Sequence, residues 1–131
     1  MVMEEEYPRV RLTKSLTMTQ YDNDAVKDSI GAFICVSGEF LGSIFRIRSG
    51  NRFYFGRDYK TVDFYFRNET ISNRHCWIEY QVGQRRYAVY DESLNGTYLN
   101  GEKRLPKNTL VYLNRGDEIR LGNTDNIIKL G

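Results

Sequence analysis

The sequence predicts an all-β domain, and three observations carry that expectation. Val, Ile and Thr supply 25 of the 131 residues, and Phe, Tyr and Trp another 18; these types suit a pleated, half-buried surface. Alanine, the best helix former, occurs only at positions 25, 32 and 88. From Gly31 onward, turn signals recur at a spacing of roughly 8–12 residues, the rhythm of a sandwich or barrel. One domain is expected at this length, large enough to bury a core without covalent staples.

Residues 1–28 read as a polar N-terminal leader, partly mobile. Within it, Arg9-Val10-Arg11-Leu12 alternates as an outer strand does, while Thr17 to Asp28 is polar. The predicted strands then follow in order. Ala32–Val36 is closed by Ser37-Gly38, and Ile44–Ile47 by Ser49-Gly50-Asn51. Phe53–Phe55 ends at Gly56, and Val62–Phe66 ends at Arg67-Asn68. Cys76–Val82 and Tyr87–Tyr90 form a hairpin around Gly83-Gln84. Thr97–Leu99, Leu110–Leu113, Glu118–Leu121 and Ile127–Leu130 complete the set, with Asn100-Gly101, Arg115-Gly116 and Gly122-Asn123 among the turns between them.

Composition removes several function classes. No apolar run approaches the ~18 residues of a membrane span, and Glu4-Glu5-Glu6 gives the start the wrong charge for a secretory signal. A net charge of +2, from 19 basic and 17 acidic residues, is too balanced to argue for direct nucleic-acid binding. Cys35 and Cys76 are the only cysteines, without a CxxC, beside a single histidine. That composition supports neither a metal site nor a disulfide framework, and it makes a reducing intracellular compartment the default.

The chemistry-bearing residues lie in the turns. Gly56 lets the backbone bend sharply before Arg57, whose planar fork of donors suits a phosphate dianion better than a lysine does. Taken alone, Arg57 is better explained by a surface salt bridge. Ser72 and Asn73 carry uncharged donors able to bind phosphate oxygen, and ordinary turn chemistry accounts for the same residues. His75 follows Ser72 by three positions. A structural ring nitrogen pinning loop backbone fits it better than a base activating a nucleophile, because no strained G-x-S-x-G turn accompanies the pair. Asn95-Gly96 and Asn100-Gly101 are strong hairpin signals. The functional alternative is that Asn95 projects its amide into a surface shared with Arg57 and Ser72.

Gly56-Arg57, Ser72-x-x-His75, Asn95-Gly96-Thr97-x-x-Asn100-Gly101 and Leu113-x-x-Gly116-Asp117-x-Ile119-x-Leu121-Gly122 together resemble a forkhead-associated (FHA) domain. The resemblance assigns 29–131 to that domain. It implies an eleven-stranded β-sandwich of two twisted sheets whose loops at one end bind phosphothreonine in an extended peptide. By the same resemblance, Arg57, Ser72, Asn73 and Asn95 contact phosphate or peptide backbone. Gly56, His75 and Gly96 shape the loops, and Asn100 braces the Asn95 turn. No catalytic residue, metal or cofactor is implied; the function is binding.

Two positions depart from the family pattern. Leu94 stands where a Ser or Thr often adds a hydroxyl bond to the phosphate. Thr70 stands where some members carry an arginine that selects an acidic residue three positions beyond the phosphothreonine. The wording from Phe64 to His75 is similar to the N-terminal FHA domains of fungal checkpoint and meiotic protein kinases, which implies a nuclear module tethering its parent enzyme to phosphorylated partners. The Thr19-Gln20 step resembles a site for damage-signalling kinases. Two readings from other classes stand beside this one. A tyrosine-rich β fold suits single-stranded nucleic acid, and an exposed strand edge suits phosphate-independent protein pairing.

Overall fold

The computed structural model of the protein describes residues 30–131; the leader, with its expected strand at Arg9–Leu12, lies outside the described residues. Eleven strands run in chain order. They are β1 (Ile30–Ser37), β2 (Ile44–Arg48), β3 (Arg52–Gly56), β4 (Phe64–Tyr65), β5 (Cys76–Gln81) and β6 (Arg86–Asp91). β7 (Thr97–Leu99), β8 (Lys103–Arg104), β9 (Leu110–Leu113), β10 (Glu118–Leu121) and β11 (Ile127–Leu130) follow. One sheet has the order β2-β1-β11-β10-β7-β8, the other β4-β3-β5-β6-β9. The expected eleven-stranded sandwich is what the chain builds.

Strand alternation puts one face of each sheet into a common core. Phe33, Phe45, Ile119, Ile128 and Leu130 from the six-stranded sheet meet Phe53, Phe55, Ile78 and Val89 from the other. Phe33 sits edge-on to Phe64 at 4.8 Å and to Phe55 at 5.5 Å, the arrangement that ring quadrupoles favour. The Tyr87 hydroxyl reaches across from β6 to accept the Ala32 N–H at 2.7 Å, clasping the two sheets together. Cys35 and Cys76 are free and buried. Burial pushes the Cys35 thiol up to about 11 and the Cys76 thiol higher still, so both stay protonated.

Two elements differ from expectation. The strand expected over Val62–Phe66 pairs only at Phe64–Tyr65, in parallel with β3. Asp63 explains the shortening. Its backbone N–H donates to Tyr54 O at 2.9 Å while its carboxylate takes the Tyr54 N–H at 2.8 Å, so a side chain replaces a ladder carbonyl. Lys103–Arg104 forms the additional strand β8 against β7; two exposed cations carry no β pattern to be read.

Pairing then gathers the loops. Phe55 lies opposite Cys76 and Cys76 opposite Asp91, while Thr97 lies opposite Leu121. The end of β3, the start of β5, the end of β6, the start of β7 and the end of β10 therefore share one end of the sandwich.

Candidate functional site

Gly56 is required at the end of β3 by crowding. A Cβ there would meet the Asn73 carbonyl oxygen at 2.1 Å, and the residue does not adopt the left-handed conformation. The sharp bend expected at Gly56 is thus a close approach of two backbones. The Asn73 carbonyl accepts from Arg57 N–H at 3.1 Å and Asp58 N–H at 3.2 Å, locking the loop before β5 onto the end of β3.

Three consecutive residues in that loop tie the site together. Thr70 O accepts the Asn95 Nδ2 amide at 2.8 Å, Ile71 O accepts Arg57 Nε at 2.9 Å, and Ser72 Oγ accepts the Leu94 N–H at 2.9 Å. Ile71 itself is fully buried and anchors the segment in the core. With Nε held, Arg57 presents its two terminal nitrogens on an exposed loop. Among the described residues no carboxylate pairs with it, so the salt-bridge alternative does not apply. Asn73 is exposed beside Ser72.

His75 is the hidden pin of this arrangement. It is fully buried, with Nδ1 accepting the Ser72 N–H at 3.2 Å and Nε2 lying 2.8 Å from Gly96 O. Those partners require a neutral ring protonated on Nε2. Burial is the main cause that lowers its pKa below the ordinary value, against opposing pulls from Gly96 O and Asp91. Nδ1 faces the Ser72 backbone rather than its hydroxyl, so the pair is not a nucleophile and base.

The Asn95-Gly96 turn rests on buried polar groups. Gly96 adopts φ 98°, and its carbonyl also accepts the Gly122 N–H at 2.7 Å. Its own N–H donates to Ser93 Oγ at 2.8 Å, and Ser93 Oγ donates to Asp91 Oδ1 at 2.6 Å. Thr97 Oγ1 donates to the same carboxylate oxygen at 2.8 Å. Asp91 and Ser93 were missed as site supports. Their signal was the Asp91-x-Ser93 spacing, which favours a side chain bonding backbone two residues on.

One further position differs from expectation. Asn100 does not brace the Asn95 turn: it lies at the opposite end of β7, with φ 49°, accepting Glu118 N–H at 2.9 Å and reaching Asp117. It shapes the β7–β8 turn instead. Leu94 is 75% exposed, so its side chain supports nothing beneath the turn. Among the described residues no group of three or more acidic, Cys or His side chains could hold a metal.

The sequence matches the FHA domain profile over residues 53–122. The chain belongs to the FHA domain family. An oxoglutarate dehydrogenase inhibitor of Corynebacterium efficiens is 41% identical over 61 residues, covering 46% of this chain and 39% of that protein. The E3 ubiquitin-protein ligase rnf8 of Danio rerio is 38% identical over 52 residues, covering 40% of this chain and 10% of that protein. The matched region is thus a minor part of both relatives. Among solved structures, the N-terminal FHA domain of Saccharomyces cerevisiae Rad53p in complex with a phosphothreonine peptide superposes with a TM-score of 0.59 and 26% identity. That match covers 77% of this chain and 90% of the other. The FHA fold thus places Arg57, Ser72, Asn73 and Asn95 on loops at one end of the sandwich.

Proposed function

We propose that this FHA domain binds phosphothreonine in an extended peptide, with Arg57 as the phosphate anchor. The observation that carries the reading is the Arg57 guanidinium, fixed through Nε and open at both terminal nitrogens, on the loop segment that also holds Ser72 and Asn95. A phosphate dianion brings about −1.5 to −2 charge and three acceptor oxygens. Arg57 offers it a bidentate fork. Ser72 Oγ already accepts from Leu94, which leaves its own proton to donate. Asn73 adds an exposed amide, and Asn95 stands ready for the peptide backbone. The phosphothreonine peptide held by the similar Rad53p domain supports the assignment.

Charge-assisted bonds at ~1.5–3 kcal/mol each, offset by peptide ordering, lead to an expected micromolar affinity of ~8 kcal/mol. The biological reading is recruitment: the module tethers a parent protein, a checkpoint or meiotic serine/threonine kinase in the nucleus, to phosphorylated partners. That parentage rests on the wording from Phe64 to His75.

The near-balanced net charge argues against the nucleic-acid reading, and part of the aromatic set it would use is packed inward while Tyr112 stays exposed. Tyr80 and Tyr87 are fully buried, and Trp77 is only 6% exposed, stacked on Tyr90 at 5.4 Å with Arg52 over its ring at 4.1 Å. One titration separates the classes, using a phosphothreonine peptide, its unphosphorylated twin and a labelled single strand at two salt concentrations. Binding of the phosphopeptide alone is expected. Equal binding of the twin would make the module phosphate-independent, and salt-sensitive strand binding would make it a nucleic-acid reader.

A further inference from the structure

Arg104 does not belong to the recognised motif, yet it lies against the ligand loop. Its Nη2 donates to Leu94 O at 3.2 Å. Its stem crosses Gly96 so closely that a Cβ on that glycine would meet Arg104 Nε at 2.9 Å and Cδ at 3.2 Å. The missing side chain at Gly96 therefore serves two ends, the φ of the turn and room for the arginine. Arg104 comes from β8, opposite Tyr98 of β7. On the other side of Tyr98 lies Arg120 of β10, its guanidinium 4.6 Å from the ring centre. Arg120 is held by carbonyls as well, with Nε on Gly122 O at 2.9 Å and Nη1 on Gly101 O at 3.1 Å.

Carbonyl partners fix these two guanidinium groups without neutralising them. Among the described residues neither makes an ion pair, so two oriented cations flank Tyr98, Arg104 at the ligand loop and Arg120 between Gly122 and Gly101. We propose that Arg104, with Arg120 behind it, is a second anion-recognition point that reads an acidic side chain on the same phosphopeptide. The proposal rests on the phosphopeptide reading and adds a specificity determinant to it. It lies on β8, across the ligand loop from Thr70, the position where charge selection was looked for in the sequence.

The spacing suits an extended ligand. Leu94 alone links the two points, its N–H on Ser72 Oγ and its carbonyl on Arg104. Two hydrogen bonds and one residue of backbone span at most about 10 Å. An extended peptide rises ~3.3 Å per residue, so a side chain within about three positions of the phosphothreonine reaches Arg104. An arginine that merely braced the loop would support every phosphopeptide equally; one that reads an anion discriminates between them.

The test is a double-mutant cycle between protein and peptide. The probes are phosphothreonine peptides with an alanine background, in which one aspartate is walked through the three positions on each side. Wild-type protein, Arg104→Gln, Arg104→Lys and Arg57→Ala are titrated with each. Wild-type protein is expected to favour aspartate at one or two positions by about twofold to fivefold, the scale of an exposed charge pair. Arg104→Gln should erase that preference and Arg104→Lys keep part of it, while Arg57→Ala weakens all peptides together. An aspartate preference that persists in Arg104→Gln, or equal wild-type affinity for every peptide in the set, overturns the proposal. Failure of the wild-type protein to bind any phosphothreonine peptide overturns the phosphopeptide reading itself, and this inference with it.

Discussion

Ser72 and Leu94, 22 residues apart in sequence, are joined by a 2.9 Å hydrogen bond from the Leu94 N–H to the Ser72 hydroxyl. The bond uses one of the hydroxyl's acceptor positions and so aims its proton away from the loop. It also joins the two loops that flank the proposed phosphate position. Ser72 is thus a strut within the fold and, in the proposed function, a donor to the ligand.

Arg57→Ala should weaken phosphothreonine-peptide binding by roughly 2–4 kcal/mol, because it removes a charged, bidentate donor. Arg57→Lys should recover only part of it, since a point charge cannot make two parallel bonds. The fold loses one part-buried hydrogen bond, to Ile71 O, worth about 0.5–1.5 kcal/mol, so the melting temperature should fall only modestly. Calorimetric titration and thermal unfolding on the same samples check both halves.

Gly56→Ala should destabilise the domain by about 2 kcal/mol or more. The added methyl would lie 2.1 Å from the Asn73 carbonyl oxygen, and that oxygen already holds two N–H groups of the Arg57 loop. Peptide binding should fall with stability, because the displaced backbone carries both Arg57 and Asn73. Urea unfolding at neutral pH reads the first effect and a peptide titration the second.

His75 makes the domain acid-sensitive. Its folded-state pKa is lowered, chiefly by burial, so the unfolded chain takes up the proton first as pH falls. The stabilisation from the neutral ring is fully present above the unfolded value of about 6.5 and is lost as pH falls below it toward the folded pKa. Protonation of Nδ1 also turns the acceptor for the Ser72 N–H into a second donor, so the phosphate loop should loosen in the same window. His75→Gln should flatten this part of the stability–pH curve while costing roughly 2–3 kcal/mol at neutral pH. Denaturant melts between pH 7.5 and pH 5 on both proteins provide the comparison.

Leu94→Thr should tighten binding. A hydroxyl at this exposed position gains a charge-assisted bond to phosphate, reduced by displacement of water to a net of about 0.5–1.5 kcal/mol. Because Leu94 is 75% exposed, the substitution removes little buried area and should leave stability within about 0.5 kcal/mol. A fall in both affinity and melting temperature would instead make Leu94 a support of the loop.

Most of the sandwich was legible because its strands alternate and its turns carry Gly, Asn and Ser at the required places. All ten strands expected between Ala32 and Leu130 exist. β8 was not legible, since Lys103 and Arg104 are exposed and bear no alternation; only the neighbouring β7 makes them a strand. β4 shrank because the Asp63 carboxylate takes a ladder position, which depends on a three-dimensional neighbour, Tyr54. At the site, the motif residues were readable while their mutual contacts were not. That Thr70, Ile71 and Ser72 each hold a different loop follows from backbone geometry that sequence spacing does not encode. Asn100 was misplaced for a related reason: its proximity to Asn95 in sequence spans the length of a strand in space.

The most direct measurement is an amide nitrogen–proton NMR titration of the isotope-labelled protein with a phosphothreonine peptide and its unphosphorylated twin. With the phosphopeptide, the largest shifts are expected at the backbone amides of Arg57, Ser72, Asn73, Leu94 and Asn95 and at the Arg57 Nε–H, with micromolar saturation. The twin should produce none of them. Shifts of equal size with both peptides, or shifts confined to the outer faces of the sheets away from these loops, would contradict a phosphate site at this end of the sandwich.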